Sequence, residues 1–332
     1  QMALAEIDDE KVFLIPRDSG YEEPEKLNNA VREIKSQGAK IIIGPINYTD
    51  FNEVKKFNDL VFISPSNINP DFQSNIISIG ISLESQMIAL MKFIKNKKKN
   101  KTVILLPKNQ YTNLIDEKLK KLEFKNYRVF KYNPDPKILT GEIEILTNYT
   151  QRKRNLKLRK KMFEDKDDEQ SKRQLENLEQ KYTLGEVNFD SVLIIDFGNS
   201  LKSVLTSLVF TDVDQKKVLF TTVNQWFDES IFYENTVKKL YYPSVDYKEF
   251  KKYKDNYFKV FKNYPSEITI LTYDALGLIY YSWKKNGKIN SVNDFSFKSK
   301  IKGKIGTFTF KNKKIMQDLS IYKAENGKFT KF

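Results

Sequence analysis

Short apolar runs that end in small polar groups recur along the chain. Ile41–Ile43 runs into Gly44-Pro45 and a polar loop, and Val61, Phe62 and Ile63 run into Ser64-Pro65-Ser66-Asn67. Apolar runs without alternation suit strands covered on both faces, as in a parallel sheet. Residues 12–15 (VFLI), 103–106, 127–132, 191–195, 218–222 and 239–242 predict further strands, and 76–81 a further extended stretch. Segments of helical spacing lie between them. Leu27, Ala30, Val31 and Ile34 share one face of a helix that starts near Pro24 and ends at Gly38. Residues 51–57, 84–94, 113–122, 201–209, 247–264 and 268–283 predict the other helices. Strand–helix alternation of this kind predicts an α/β fold with parallel sheets and right-handed crossovers. The alternating segments 303–310 and 319–323, with Asn326-Gly327 after them, predict an antiparallel finish with a hairpin turn.

At 332 residues the chain suits two Rossmann-like lobes better than one. Extended links near Ile79, Tyr242 and the region after Asn286 predict three crossings. They assign 1–79 with 244–300 to lobe 1 and 80–243 with 301–332 to lobe 2. Residues 143–182 depart from the rhythm: they are highly charged, with a thin apolar stripe and no proline or glycine between Glu142 and Leu184. This predicts a helical insertion in the second lobe, one long helix or two with a turn near Asp167. It reads either as a solvated insertion held by charge pairs or as a partner-docking arm, with Arg152, Arg154, Lys157, Lys160 and Lys161 as the partner-binding face.

Composition narrows the chemistry. Neither cysteine nor histidine occurs, which excludes a thiol nucleophile, a disulfide, a Cys/His zinc site and a Ser-His-Asp triad. Ser64-Pro65-Ser66-Asn67 is not a Ser-x-x-Lys motif. We therefore expect no catalytic residues, no metal and no cofactor. Lys+Arg 57 against Asp+Glu 43 gives +14. The basic residues are scattered and no nucleic-acid-binding motif accompanies them, so solvated surface charge accounts for them. No run of eighteen or more apolar residues offers a membrane span. The helix-like opening, 1–7, leads us to expect that the N-terminal strand of lobe 1 is missing from this chain.

Ligands in open α/β sheets bind beyond the carboxyl ends of the strands. Residues at such positions are Tyr48, Thr49, Ser64, Ser66, Asn67, Tyr111, Asp196, Phe197, Asn199, Asn224 and Trp226. Hydroxyls and helix-start N–H groups suit an α-carboxylate, Asp196 suits an α-ammonium, and Tyr111, Phe197 and Trp226 suit walls. Each Ser or Thr can equally be a helix cap, Trp226 core packing, and Asp196 a loop organiser.

Ile42-Ile43-Gly44-Pro45, Phe62-Ile63-Ser64-Pro65-Ser66, Ile77-Ser78-Ile79-Gly80 before a helix, Tyr111, and Thr272-Tyr273-Asp274-Ala275 together resemble the type I periplasmic-binding-protein fold, leucine/isoleucine/valine-binding branch. The charged insertion, its exit Thr183-Leu184-Gly185-Glu186-Val187-Asn188-Phe189-Asp190, and Gln225-Trp226-Phe227-Asp228 bring the chain closer to the penicillin-binding protein activator family. The departures are Thr112 where a glycine is usual after the tyrosine, and the bulky loop Ile46-Asn47-Tyr48-Thr49. The resemblance implies a non-enzymatic periplasmic protein that activates peptidoglycan synthases by contact. That family is often lipoprotein, which would place an outer-membrane anchor on a lipidated N-terminus outside this chain. The alternative is a solute receptor for an amino acid or similar small polar ligand, such as a peptidoglycan fragment, feeding an ABC importer.

Overall fold

The computed structural model describes all residues except 21–22, 68–74, 123, 234–237, 298, 305 and 312–313, and the side chains of Tyr48, Lys311 and Lys314. In order the chain runs α1 (Met2–Ile7), α2 (Pro24–Ser36), β1 (Ile41–Ile43), α3 (Phe51–Val54), β2 (Val61–Ser64), β3 (Ile76–Ser78), α4 (Leu83–Asn96), β4 (Thr102–Pro107), α5 (Thr112–Lys121), β5 (Tyr127–Tyr132) and α6 (Pro136–Thr147). It continues with α7 (Tyr149–Glu164), α8 (Glu169–Glu179), β6 (Ser191–Ile194), α9 (Gly198–Phe210), β7 (Leu219–Thr222), β8 (Leu240–Ser244), α10 (Tyr247–Phe261) and α11 (Thr269–Asn286). It ends with β9 (Ile301–Lys302), β10 (Thr307–Lys311), β11 (Lys314–Gln317), β12 (Ser320–Glu325) and β13 (Lys328–Lys331). The chain divides into two compact units, Gln1–Met87 with Ser244–Ser320 and Ile88–Pro243 with Ile321–Phe332.

In the first unit β1, β2 and β3 form a parallel sheet, with Ile41 opposite Val61 and Ile63 opposite Ile77. The twofold alternation of a strand sends neighbours to opposite faces. Val61, Ile63 and Ile77 pack with Ala275 and Leu278 of α11, Phe295, and Phe308 and Ile315 of the antiparallel β9–β10–β11 sheet. Phe62 and Ile76 face the other way, onto Leu27 and Val31 of α2 and Phe51 and Val54 of α3. Both faces are therefore covered, which is why these strands carry no polar alternation. Pro24 opens α2 as expected.

Residues 12–15 correct the sequence reading. They form no strand, and Phe13 is 81% exposed. The run has the composition of a buried strand, but here it is irregular and lies outside the sheet order.

In the second unit the sheet order is β13-β12-β8-β7-β6-β4-β5. Strands β5, β4, β6, β7 and β8 are parallel, and β12–β13 is the expected antiparallel hairpin. Its turn places Asn326 and Gly327 at φ 50° and 70°, the left-handed pair that a tight hairpin needs. The charged segment forms two helices, α7 and α8, packed on each other, and Asp168 caps α8 by accepting from the Ser171 N–H at 2.8 Å. The first five residues of the expected insertion, 143–147, instead complete α6, where Ile143 and Leu146 are buried.

Candidate functional site

In the first unit the loops after β1 and β2 meet at a backbone junction. The Ser64 hydroxyl donates to the Pro45 carbonyl at 2.5 Å and accepts from the Ser66 N–H at 3.1 Å. The Asn67 side-chain oxygen accepts from the Ile81 N–H at 3.0 Å. A Cβ on Gly80 would lie 2.1 Å from the Ser66 carbonyl oxygen, so only glycine admits this approach. Gln317 holds the same segment from β11, donating to the carbonyls of Ile79 (3.0 Å) and Gly80 (2.6 Å). Ser64 and Ser66 are buried in this framework, whereas Thr49 and Asn67 are exposed. The Tyr48 side chain lies outside the described residues.

In the second unit the strand order reverses between β4 and β6, since β5 lies on one side of β4 and β6, β7 and β8 on the other. Such a switch point is where α/β sheets place ligands. Tyr111 follows β4, Asp196, Phe197 and Asn199 follow β6, and Asn224 and Trp226 follow β7, so these candidates share the carboxyl ends of three adjacent strands. The Thr112 hydroxyl closes the first loop by donating to the Pro107 carbonyl at 2.8 Å and accepting from the Asn109 N–H at 2.7 Å. Phe197 and Asn199 are exposed. Trp226 sits at φ 51°, left-handed backbone that a bulky side chain rarely adopts, and its N–H donates to the Asn224 side-chain oxygen at 2.9 Å.

Asp196 is buried at the start of α9 and largely engaged from within. The hydroxyls of Tyr132 and Ser200 both donate to Oδ2, and the Phe197 N–H donates to Oδ1 at 2.8 Å. Three of its roughly four acceptor positions are filled. The positive end of the α9 dipole already holds this negative side chain. Burial, with the Asp196 carboxylate beside it, pushes the Tyr132 hydroxyl far above its ordinary pKa, so it stays a donor. Gln225 ties the β6 and β7 ends by donating to the carbonyls of Asp196 (2.9 Å) and Val223 (3.2 Å). Tyr132, Ser200 and Gln225 are not among the site residues the sequence offers, although Gln225 stands in the motif 225–228 and Ser200 lies four residues after Asp196, one turn into a helix.

Arg152 also needs correction. The sequence places it on the basic partner-binding face, but its side chain is buried. It donates to the Gly185 carbonyl (3.0 Å), the Thr183 hydroxyl (2.8 Å) and the carbonyls of Thr211 (3.0 Å) and Asp212 (2.8 Å). Burial lowers its pKa, opposed by the nearby Asp212 carboxylate. Arg152 thus anchors the base of α7. Beyond it Arg154, Lys157 and Lys161 are exposed and Lys160 half-buried, with Leu158 and Met162 exposed among them.

Among the described residues no helix is long and apolar enough to cross a membrane. No family model and no curated protein matches the chain. Solved structures do. The leucine-binding protein LivK from Thermotoga maritima is 13% identical, with a TM-score of 0.64 over 100% of this chain and 90% of that one. A putative branched-chain amino acid ABC transporter protein from Rhodospirillum rubrum is 9% identical, with a TM-score of 0.69 over 97% and 88%. Full-length LpoA from Haemophilus influenzae is 10% identical, with a TM-score of 0.58 over 92% of this chain and 50% of that one. The chain has the type I periplasmic-binding-protein fold, as its sequence pattern implied.

Proposed function

We propose that this chain is a non-enzymatic, extracytoplasmic binding domain that regulates a peptidoglycan synthase by direct contact. The observation that carries this reading is the α7–α8 hairpin. It is anchored at its base by the buried Arg152 and presents Arg154, Lys157 and Lys161 with exposed Leu158 and Met162. A rigid base with exposed basic and apolar side chains suits capture of an acidic protein surface, with charge steering the encounter. The likeness to LpoA, a penicillin-binding protein activator, supports the kind of partner, over half of that longer chain. The internal engagement of Asp196 counts against an amino-acid receptor, because three donors already hold most of its acceptor positions.

The test is stimulation of a purified bifunctional penicillin-binding protein by this chain. Activation that is lost in Lys157→Glu/Lys161→Glu, with an unchanged melting temperature, supports contact regulation. Activation that survives the charge reversal overturns the role given to the hairpin.

A second reading, a solute receptor, is favoured by the exposed Phe197 and the left-handed Trp226 at adjacent strand ends, since an exposed ring beside an indole held in strained backbone suits a preorganised pocket. A thermal-shift screen with amino acids and muropeptides separates the two. Specific binding raises the melting temperature by mass action, and Trp226→Ala should abolish the rise.

A further inference from the structure

The C-terminal turn of α10 carries its apolar residues into solvent. Phe250 and Tyr253, nearer its start, are buried, and the Tyr253 hydroxyl donates to that of Thr269 at 3.0 Å. Further along, burial gives out: Phe258 is 40% exposed, Val260 61% and Tyr264 60%, with Phe261 also exposed. These are not scattered side chains. Phe258 stacks on Tyr264 with ring centroids 4.8 Å apart, and Tyr257 meets Phe261 at 4.5 Å. At 100° per residue Val260, Phe261 and Phe258 span nearly half of the helix circumference, a continuous apolar face at the tip.

Lysines surround this tip. The stretch 251–267 carries five lysines against two carboxylates, Asp255 and Glu267. Lys251, Lys259 and Lys262 are exposed, and Lys254 lies over the Tyr264 ring at 5.4 Å. Lys262 also ends the helix at φ 55°, its N–H donating to the Phe258 carbonyl at 2.9 Å, which directs the chain back so that Tyr264 reaches Phe258.

We propose that the tip of α10 is a contact surface for an anionic lipid bilayer. Aromatic rings at a helix end suit the headgroup–acyl boundary, and lysines beside them keep their ammonium groups at the phosphates while their stems lie along apolar surface. The exposed rings of Phe258, Phe261 and Tyr264 distinguish this tip from the aliphatic and basic face of α7, and favour the lipid boundary over an acidic protein surface. The inference is independent of the α7–α8 hairpin and of the contact function proposed for it.

The test is co-sedimentation of the whole chain with vesicles of phosphatidylcholine alone and with phosphatidylglycerol added. Three variants accompany it: Val260→Ser/Tyr264→Ser, Lys259→Glu/Lys262→Glu, and, as a control of equal charge change on α7, Lys157→Glu/Lys161→Glu. The substituted side chains are solvent-exposed, and thermal melts check that each variant is folded. We expect sedimentation only with the anionic vesicles. The Lys259/Lys262 pair should lower the partition coefficient by about tenfold or more, since each lysine near an anionic surface contributes about fivefold, and the Val260/Tyr264 pair should lower it comparably through lost apolar burial, while the α7 pair changes it by less than about threefold. Three results would overturn the proposal: no sedimentation with anionic vesicles, as for a surface that meets a soluble protein; equal losses in the two charge-reversal pairs, which would assign adsorption to overall charge; or unchanged partition in the Val260/Tyr264 pair.

Discussion

The guanidinium of Arg152 donates to the main-chain carbonyl of Thr211 at 3.0 Å, joining the first turns of α7 to the chain just past α9. With three further acceptors around it, this cation is compensated almost entirely by neutral oxygens, the Asp212 carboxylate standing 3.9 Å away.

Arg152→Ala should therefore lower stability by about 3 kcal/mol, the scale for stranding several buried acceptors at once. Arg152→Lys should recover less than half of it, because an ammonium cannot replicate the planar fork. Urea unfolding followed by circular dichroism measures both. A loss under about 1 kcal/mol for the alanine variant would reduce Arg152 to a bystander.

Removing residues 158–177 with a short Gly/Ser closure should leave the melting temperature within a few degrees. The cut takes the outer parts of α7 and α8 and spares Tyr149, Arg152, Leu156 and Leu178, the buried positions of the two helices outside Ser171. A cooperative loss of fold on this deletion would show that the outer hairpin stabilises the unit.

Gly80→Ala should destabilise the first unit by about 3 kcal/mol or more, since the new Cβ falls against main-chain atoms of Ser66 and Asn67 that cannot rotate away. Gly141→Ala, with open space around its Cβ in the middle of α6, should instead be neutral or stabilising. Comparing the two denaturation midpoints checks the steric argument.

Asp9 sets a pH dependence. Lys284 donates to its carboxylate at 2.9 Å, the Lys11 N–H at 3.1 Å and the Tyr280 hydroxyl at 3.1 Å, which holds its pKa down to about 2. A carboxylate depressed on folding stabilises the folded state above its ordinary value near 4, and the contribution is lost as pH falls from about 4 to about 2. Asp9→Asn should be less stable than wild type at neutral pH, with the difference shrinking through that window. A difference independent of pH would show that the carboxylate's charge plays no part.

Much of the fold was legible because burial on both faces writes itself into composition. Ile41–Ile43 and the 61–63 run are apolar throughout because α2, α3 and α11 cover both sides of their sheet. The VFLI run at 12–15 has the same local signature without a sheet position, and pairing is a non-local property. The loops of the candidate site were legible as strand ends, yet what fills them was not. Asp196 looked available for a ligand because its partner Tyr132 lies 64 residues away, on a strand separated from β6 in the sheet by β4. Arg152 looked like one more basic residue of an exposed helix because its acceptors are carbonyls, which any sequence supplies.

The division of the chain constrains the order in which the protein can form. Both units are assembled from distant stretches of sequence: the first needs Ser244–Ser320 to finish the core around Phe308 and Ile315, and the second takes its β12–β13 edge from Ile321–Phe332. During synthesis from the N-terminus the parallel strands β1 to β3 emerge long before α11 and the β10–β11 hairpin that cover one face of them. The nascent chain therefore carries an open sheet surface while the whole stretch between β3 and α11 is made, the condition under which chaperones are recruited and truncated products aggregate.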